Sequence, residues 1–316
     1  MRLFFGAPEA EVLFFPSVGT PMMEAIAHAF LHPAAHILNL NTGFFGWGWG
    51  KIARIYGAQV HEYKPETGRT YDPQRLTELL AEHRPRILLM QASDTSTGVR
   101  NNTKLGEIIS NDSPFTFIAV DAILEAGISP IKMDEEGIDV LVGAGQKAFM
   151  LPPGLGFILI NRRAAEFLLG TKKSYPGLYF DLRLEISAQR NYSPRFTMPT
   201  AHMAALAYVT DKIFANEQEW YQSFVRRASR ARDVLSRLGF SLFTKESPSN
   251  GISVLFPPGE ITASAVMKIA EEKGYVIAGG IDELSGKVIR LAHFPGVADE
   301  DLERFFQILE QYFKSA

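Results

Sequence analysis

Short apolar segments alternate with amphipathic ones along the first half of this chain, and this alternation restricts its possible folds more than any other feature. The apolar segments are rich in β-branched and aromatic residues, a composition typical of buried strands. Alternating strands and helices form a mainly parallel sheet with helices on both faces, so we predict an α/β fold. Seven strands are predicted at 12–15, 36–39, 59–63, 86–90, 115–120, 140–142 and 156–160, with helices at 22–31, 50–56, 73–83 and 105–110.

A second, smaller group of elements follows a long helical stretch. Residues 200–238 have the pattern of an amphipathic helix that is interrupted near Asn216. A chain of 316 residues also exceeds one ordinary hydrophobic core, which favours two domains. We predict a large domain over 1–216 and a small C-terminal α/β domain over 217–316. The elements of the small domain are predicted at 252–256, 263–273, 275–277, 288–292 and 299–313.

Composition argues against several functional classes. A net charge of -3 provides no broad positive field, so neither nucleic acid nor an anionic membrane is an expected partner. No apolar run approaches the roughly 18 residues of a membrane span. The absence of cysteine excludes disulfides, thiolate metal sites and thiol nucleophiles, and makes the cytoplasm the expected compartment. Pro8, Glu9 and Glu11 interrupt the apolar start, so we expect no signal peptide and an unprocessed chain.

Ligands of open α/β sheets bind at the carboxyl ends of the strands, so the residues after each predicted strand are candidates for function. Gly19 and Thr20 follow the first strand, where backbone N–H groups, a helix dipole and a hydroxyl would hold a phosphate. Asp121 follows the fifth strand, where a buried carboxylate requires a cationic partner. Lys147 follows the sixth strand, in a turn of small residues that would desolvate its amine and make it a nucleophile. Each of these residues, taken alone, also fits an ordinary role as a turn, a cap or a solvated surface group.

Two other patterns are not interpreted as binding sites. The glycine-rich segment 43–51 would need glycine at position 45 and serine or threonine at position 52 to match a phosphate-binding loop, and Phe45 and Ile52 stand there. Histidines recur every four residues between positions 28 and 36, but Pro33 breaks the helix that would align them. We therefore predict no metal site.

Three segments together resemble a known family. They are 119–122 (AVDA), 133–139 (MDEEGID) and 145–154 (GQKAFMLPPG). In this order they are similar to the class V aminotransferases, the group of alanine–glyoxylate and serine–glyoxylate aminotransferases, and the likeness runs from about position 12 to 296. The resemblance implies a transferase of fold type I that depends on pyridoxal 5'-phosphate (PLP) and forms a homodimer with active sites at the subunit interface. Compared with family members the chain is expected to be N-terminally short, without their glycine–proline segment.

The resemblance also implies roles for individual residues. Lys147 would hold PLP as a Schiff base and move a proton at the substrate α-carbon, and Asp121 would pair with the pyridine nitrogen. Phe45 would stack on the ring, Thr197 would reach the phosphate bound by the neighbouring subunit, and Arg290 would bind the substrate carboxylate. Without the family, Phe45 also fits a core aromatic and Arg290 a solvated strand residue. The implied cofactor-binding residues are Val18, Gly19, Thr20, Phe45, Thr95, Asp121, Ile123, Gln146, Lys147 and Thr197.

The leading functional hypothesis is transfer of an amino group from a small L-amino acid, such as alanine or serine, to a 2-oxo acid such as glyoxylate or pyruvate. One alternative is another PLP reaction on the same fold, of the lyase type. A cysteine desulfurase is disfavoured because it needs a cysteine to carry the persulfide. Another alternative is a catalytically impaired relative that acts as a subunit. Two departures from the family bear on substrate choice: Gly48 stands where many members have arginine, and residues 91–93 replace a segment that usually contains histidine.

Overall fold

A seven-stranded sheet forms the centre of the computed structural model, which describes residues 1–106, 108–109, 116–171 and 177–315. Along the sheet the strands follow the order β1-β7-β6-β5-β4-β2-β3. All seven predicted strands are confirmed within a residue or two. Position 115 of the fifth strand and positions 107 and 110 of the predicted helix at 105–110 lie outside the described residues. The bounds are β1 Glu11–Phe15, β2 His36–Leu40, β3 Gln59–Tyr63, β4 Ile87–Gln91, β5 Phe117–Asp121, β6 Val140–Ala144 and β7 Gly156–Ile160.

Strand direction gathers the functional loops at one edge of this sheet. Strands β2 to β6 run parallel, and β1 runs with them because it pairs antiparallel with the single reversed strand β7. The register places Asp121 beside Gln91 on β4 and beside Val142 on β6. The loops that follow β1, β2, β4, β5 and β6 therefore meet at the same edge, which is where ligands of such sheets bind.

Helices cover both faces of the sheet, as predicted. One face packs against Met22 and Ile26 of the first helix and Trp49 of the second, and the opposite face packs against Leu76 of the third and Ile213 of the seventh. The bounds are α1 Gly19–Phe30, α2 Phe44–Ile55, α3 Pro73–His83, α4 Met133–Glu136, α5 Arg162–Gly170, α6 Leu182–Arg190, α7 Thr200–Ala215, α8 Glu217–Arg237, α9 Ala263–Glu272 and α10 Asp299–Ser315.

Helix α2 begins at Phe44, six residues before the predicted start at position 50. Glycines at 46, 48 and 50 disfavour a helix in this segment on propensity alone. A buried carboxylate from outside the helix, Asp94, accepts hydrogen bonds from the N–H groups of Phe45 (2.9 Å) and Gly46 (3.2 Å) and stabilises the early start. The prediction missed this start because Asp94 lies far away in the sequence.

A four-stranded antiparallel sheet, in the order β10-β11-β9-β8, forms a second core with helices α8, α9 and α10. We call these elements the small lobe. The predicted helix interruption near Asn216 is confirmed between α7 and α8, while the domain limits 1–216 and 217–316 stay a prediction. No helix within the described ranges combines the length and the apolar character needed to cross a membrane. The strand bounds are β8 Ser241–Leu242, β9 Ile252–Phe256, β10 Ala278–Gly279 and β11 Ile289–Ala292.

The predicted strand at 275–277 is wrong, because the strand there is Ala278–Gly279. Gly274 adopts a left-handed conformation with φ of 82°, and Tyr275 N–H bonds back to the Ala270 carbonyl at 2.9 Å. The backbone of Tyr275 therefore closes helix α9 rather than pairing with a strand.

Candidate active site

A cavity of about 160 Å³ lies at the carboxyl edge of the large sheet. Nine of the ten predicted cofactor-binding residues line it, and Thr197 is the exception. Thr197 is exposed and lies outside this cavity, so its assignment to the neighbouring subunit's phosphate stays a prediction. The cavity is lined by Val18, Gly19, Thr20, Phe45, Ser93, Thr95, Asp121, Ile123, Leu124, Gln146 and Lys147.

The amino end of α1 forms one corner of the cavity. The helix begins at Gly19, and the preceding residue, Val18, provides no side-chain hydrogen bond to the first N–H groups. A Cβ atom on Gly19 would lie 2.3 Å from Ile123 Cδ1, so only glycine lets these two segments approach so closely. Gln146 Oε1 is buried and has no hydrogen-bond partner among the residues that the structure describes. Uncapped N–H groups and the helix dipole suit an anion such as a phosphate.

Asp121 ends strand β5 at the floor of the cavity and is 5 % exposed. Its Oδ1 accepts a hydrogen bond of 2.9 Å from Ile123 N–H. Burial raises the pKa of Asp121 to about 7, with a further increase from the charge of Asp94, although the Ile123 N–H and the Lys147 ammonium act in the opposite direction. A cationic group placed against this carboxylate would lower its pKa again and supply the partner that the buried position requires.

Lys147 faces the same cavity from the turn after β6. Backbone hydrogen bonds hold this turn closed: Gly145 N–H donates to Leu155 O at 2.9 Å, and Leu151 N–H donates to Gly145 O at 3.0 Å. Burial, and then the charge of Arg290, lower the pKa of Lys147, against the opposing effect of Asp121. A lower pKa increases the neutral fraction of the amine, the form that attacks an aldehyde.

Asp94 is a functional residue that the sequence predictions missed. It is 0 % exposed, and its Oδ1 accepts from Ser96 N–H at 2.8 Å while its Oδ2 accepts from Phe45 N–H. Burial raises its pKa against these hydrogen bonds. Because the Phe45 backbone is fixed by this carboxylate, Asp94 positions the aromatic side chain at the cavity wall. Its contacts cross from the loop after β4 to the start of α2, so no local pattern marks it.

Arg290 lies on β11 of the small lobe beside the cofactor cavity. Its Nε donates to Gly279 O at 2.6 Å and its Nη1 donates to Thr95 O at 3.4 Å. It lines a second cavity of about 380 Å³ that shares Thr95, Leu124 and Lys147 with the first. The Arg290 guanidinium therefore lies next to Lys147 and does not stand free in solvent. The predicted role of Arg290, binding the substrate carboxylate, requires such a position.

Two lining residues, Ser93 and Leu124, were not predicted. Ser93 lies two positions after the end of β4 and Leu124 lies three positions after Asp121, so both carry the signal that identified the other residues, their place after a strand. Serine and leucine have no chemistry that singles them out in a sequence, and the topology alone brings them to the cavity.

These residues have the donors and acceptors that PLP requires: an anion corner at α1, an aromatic wall, a buried carboxylate and a desolvated amine. The family model for aminotransferase class-V matches residues 1–280. The chain is 29% identical over 301 residues to the soluble hydrogenase 42 kDa subunit of Anabaena cylindrica, covering 93% of this chain and 78% of that protein. It is 27% identical to the L-aspartate–glyoxylate aminotransferase of Paracoccus denitrificans, covering 92% and 75%.

Solved structures agree with this match. The alanine–glyoxylate aminotransferase of a Nostoc species superposes with a TM-score of 0.90 at 25% identity, covering 98% of this chain and 83% of that one. The chain belongs to the class V aminotransferase family and is a PLP-dependent transaminase.

Proposed function

We propose that this transaminase moves an amino group from a small L-amino acid to a 2-oxo acid such as glyoxylate or pyruvate, with Lys147 holding the cofactor as a Schiff base. One observation carries the proposal: Lys147 and Asp121 line the same cavity, beside the uncapped amino end of α1. The Paracoccus and Nostoc proteins are both named as glyoxylate aminotransferases, which supports the choice of acceptor.

Each side chain has a defined task in this proposal. When bound, PLP supplies an aldehyde for the amino group and a ring that accepts electrons. Lys147 would hold the cofactor through its amine, and the free amine would take up and return the proton of the substrate α-carbon. Asp121 pairs with the ring nitrogen and keeps it protonated, because a carboxylate in a low-dielectric site favours a cation beside it.

Substrate orientation is assigned to Arg290. Its planar guanidinium can bind both oxygens of a carboxylate. Amino acids and 2-oxo acids share an α-carboxylate, so one arginine serves both halves of the transfer. Its position beside Lys147 in the second cavity, anchored by Gly279 O and Thr95 O, supports this role.

The experiment is a titration of the PLP-loaded protein with alanine or serine while the visible spectrum is recorded. We expect the absorption of the aldehyde form to give way to that of pyridoxamine phosphate, and glyoxylate or pyruvate to reverse the change. Lys147→Ala should abolish the spectrum of the lysine-bound cofactor. Spectral binding of the amino acid without amino transfer would contradict the proposal and favour lyase chemistry.

The subunit alternative is favoured by one finding, the name of the Anabaena relative as a hydrogenase subunit. The same titration separates the two functions. A protein that binds no PLP, or that binds PLP and shows no spectral change with alanine or serine, would support a subunit role over catalysis.

This proposal includes two further predictions, a homodimer with active sites at the subunit interface and a cytoplasmic location. The exposed position of Thr197, away from the cavity of its own chain, supports the shared site. The missing cysteine fits a reducing compartment.

A further inference from the structure

Glu125 is a buried carboxylate that the proposed mechanism does not use. It is 1% exposed, and it follows Leu124 of the cofactor cavity without lining either cavity itself. A buried carboxylate costs free energy unless its oxygens are satisfied by donors or a cation. The groups that bind the two oxygens of Glu125 therefore indicate its role.

Four groups satisfy the two oxygens of Glu125. Oε2 accepts from the hydroxyl of Ser93 and from the hydroxyl of Ser249 at 3.1 Å. Oε1 accepts from the hydroxyl of Ser129 at 2.6 Å and lies 3.2 Å from the guanidinium Nε of Arg100. All four can donate to a carboxylate, so the ionised form fits this site without an unpaired oxygen.

Two of these partners close the loop that shapes the cofactor cavity. Ser93 and Arg100 form an isolated antiparallel bridge at the two ends of this loop, and Ser93 lines the cavity. Between them lies Thr95, which lines both cavities and whose carbonyl accepts the hydrogen bond from Arg290. By binding both ends, Glu125 holds the loop in one conformation.

The third partner, Ser249, comes from the small lobe. Its N–H donates to Gly98 O at 2.9 Å, and the neighbouring Pro248 bridges to Val99, so the small lobe is docked on the same loop. Ser249 lines neither cavity. The hydroxyls of Ser249 and Ser93 both donate to Oε2 of Glu125. This shared acceptor connects the small lobe to the wall of the cofactor cavity.

We propose that Glu125 is a positioning residue that couples the small lobe, through Ser249, to the cofactor-binding loop at Ser93. Binding of PLP then depends on a serine that does not touch the cofactor. Because PLP affinity is measured without any amino acid, the test is independent of the substrates proposed above.

The test measures the Kd of PLP for the apoprotein by titration in the visible spectrum. Ser249→Ala should raise the Kd by about threefold and Glu125→Ala by about tenfold or more, since hydrogen bonds to a buried charge are among the stronger ones. The double variant of Glu125→Ala with Ser249→Ala should bind PLP no more weakly than Glu125→Ala alone, because the coupling runs through the carboxylate.

Two matched controls separate positioning from a general loss of stability. Glu136 is another buried carboxylate, held by Thr103 and the N–H of Lys132 away from the cavity, and Glu136→Ala should leave the Kd unchanged. Thr262 caps helix α9 in the small lobe, and Thr262→Ala destabilises that lobe without touching Glu125. Should Glu125→Ala fail to fold, Ser249→Ala carries the test, because Ser249 lines neither cavity.

A second measurement uses the loaded enzyme. Since the loop also supports Arg290 through the Thr95 carbonyl, Ser249→Ala should raise the KM for the amino acid more than it lowers kcat. The proposal is overturned if Ser249→Ala binds PLP like the unmodified protein, if the effects of Glu125→Ala and Ser249→Ala simply add, or if Thr262→Ala weakens PLP binding as much as Ser249→Ala.

Discussion

Burial acts on the two ionisable groups of the cofactor cavity in the same sense, towards their neutral forms. It raises the pKa of Asp121 to about 7 and lowers the pKa of Lys147. A neutral amine is ready to attack an aldehyde, whereas a carboxylate at this position needs a cation to stay charged. The ring nitrogen of PLP is such a cation, so we expect Asp121 to act through its charge rather than its shape.

Asp121→Asn tests this expectation at the level of one residue. The amide has the shape of the carboxylate but cannot stabilise a protonated ring nitrogen, so kcat/KM should fall by about 100-fold or more. Steady-state kinetics with alanine and glyoxylate provides the measurement, with Asp211→Asn on an exposed face of α7 as the matched control. Activity close to that of the unmodified enzyme would show that the carboxylate charge is not needed.

Among the elements, helix α2 depends most on tertiary contacts. Its glycines differ sharply in their surroundings. A Cβ on Gly46 would lie 2.6 Å from Gln91 Oε1 and 2.9 Å from the Asn41 Cα, whereas a Cβ on Gly48 would meet no atom of the described part of the chain within 4 Å. Glycine at 46 is thus required by close packing. Glycine at 48 is not required by packing, and its only effect on stability is the larger conformational entropy that a glycine loses on folding.

The pair Gly48→Ala and Gly46→Ala should therefore have opposite effects on the free energy of unfolding. We expect Gly48→Ala to raise it by about 0.5–1 kcal/mol through helix propensity, and Gly46→Ala to lower it by about 1–3 kcal/mol through overpacking. Urea unfolding of the two apoproteins measures both changes. A destabilising Gly48→Ala would mean that this part of the helix is not free of neighbours.

The sequence predictions for the elements succeeded where a local pattern was sufficient. The seven strands and the helix break near Asn216 follow from periodicity and apolar composition, which act over a few residues. The start of α2 and the place of β10 were missed because a distant carboxylate, Asp94, and a backbone bond to Ala270 decide them. In the site, Lys147 and Asp121 were identified from their position after strands, while Asp94 was not.

For the whole molecule, stability depends on keeping His293 neutral. It is 1% exposed, its Nε2 lies 2.9 Å from Ser253 Oγ, and burial together with the charges of Arg232 and Arg227 lowers its pKa to about 3. The unfolded chain, with the ordinary pKa of 6.5, takes up a proton first as the pH falls. The stability contributed by neutral His293 is present above pH 6.5 and is lost as the pH falls towards about 3.

The variant His293→Asn, compared with the unmodified protein, tests this pH dependence of stability. The free energy of unfolding of the unmodified protein should fall more steeply below pH 6.5 than that of the variant, by up to about 1.4 kcal/mol per pH unit. Urea unfolding at several pH values from about 7 to 4 measures the two slopes. Parallel curves would show that this histidine is already protonated, or solvated, in the folded chain.

A second prediction for the whole molecule concerns its assembly into a dimer. If Thr197 reaches the phosphate of a neighbouring subunit, the protein in solution should have about twice the chain mass of 35.1 kDa, and Thr197→Ala should raise the Kd of PLP by about tenfold. Sedimentation equilibrium and a PLP titration measure the two quantities. A monomer whose PLP affinity is unaffected by Thr197→Ala would rule out the shared site.

The sequence by itself determined the α/β class, the order of the strands along the chain and the residues that follow them, because these depend on local periodicity and on where each strand ends. Only the tertiary structure decided which of those residues share a cavity, how Asp94 fixes Phe45, and how Glu125 joins Ser93 to Ser249. These contacts connect segments far apart in the chain, and the free energy of burying a carboxylate depends on neighbours that no local pattern specifies.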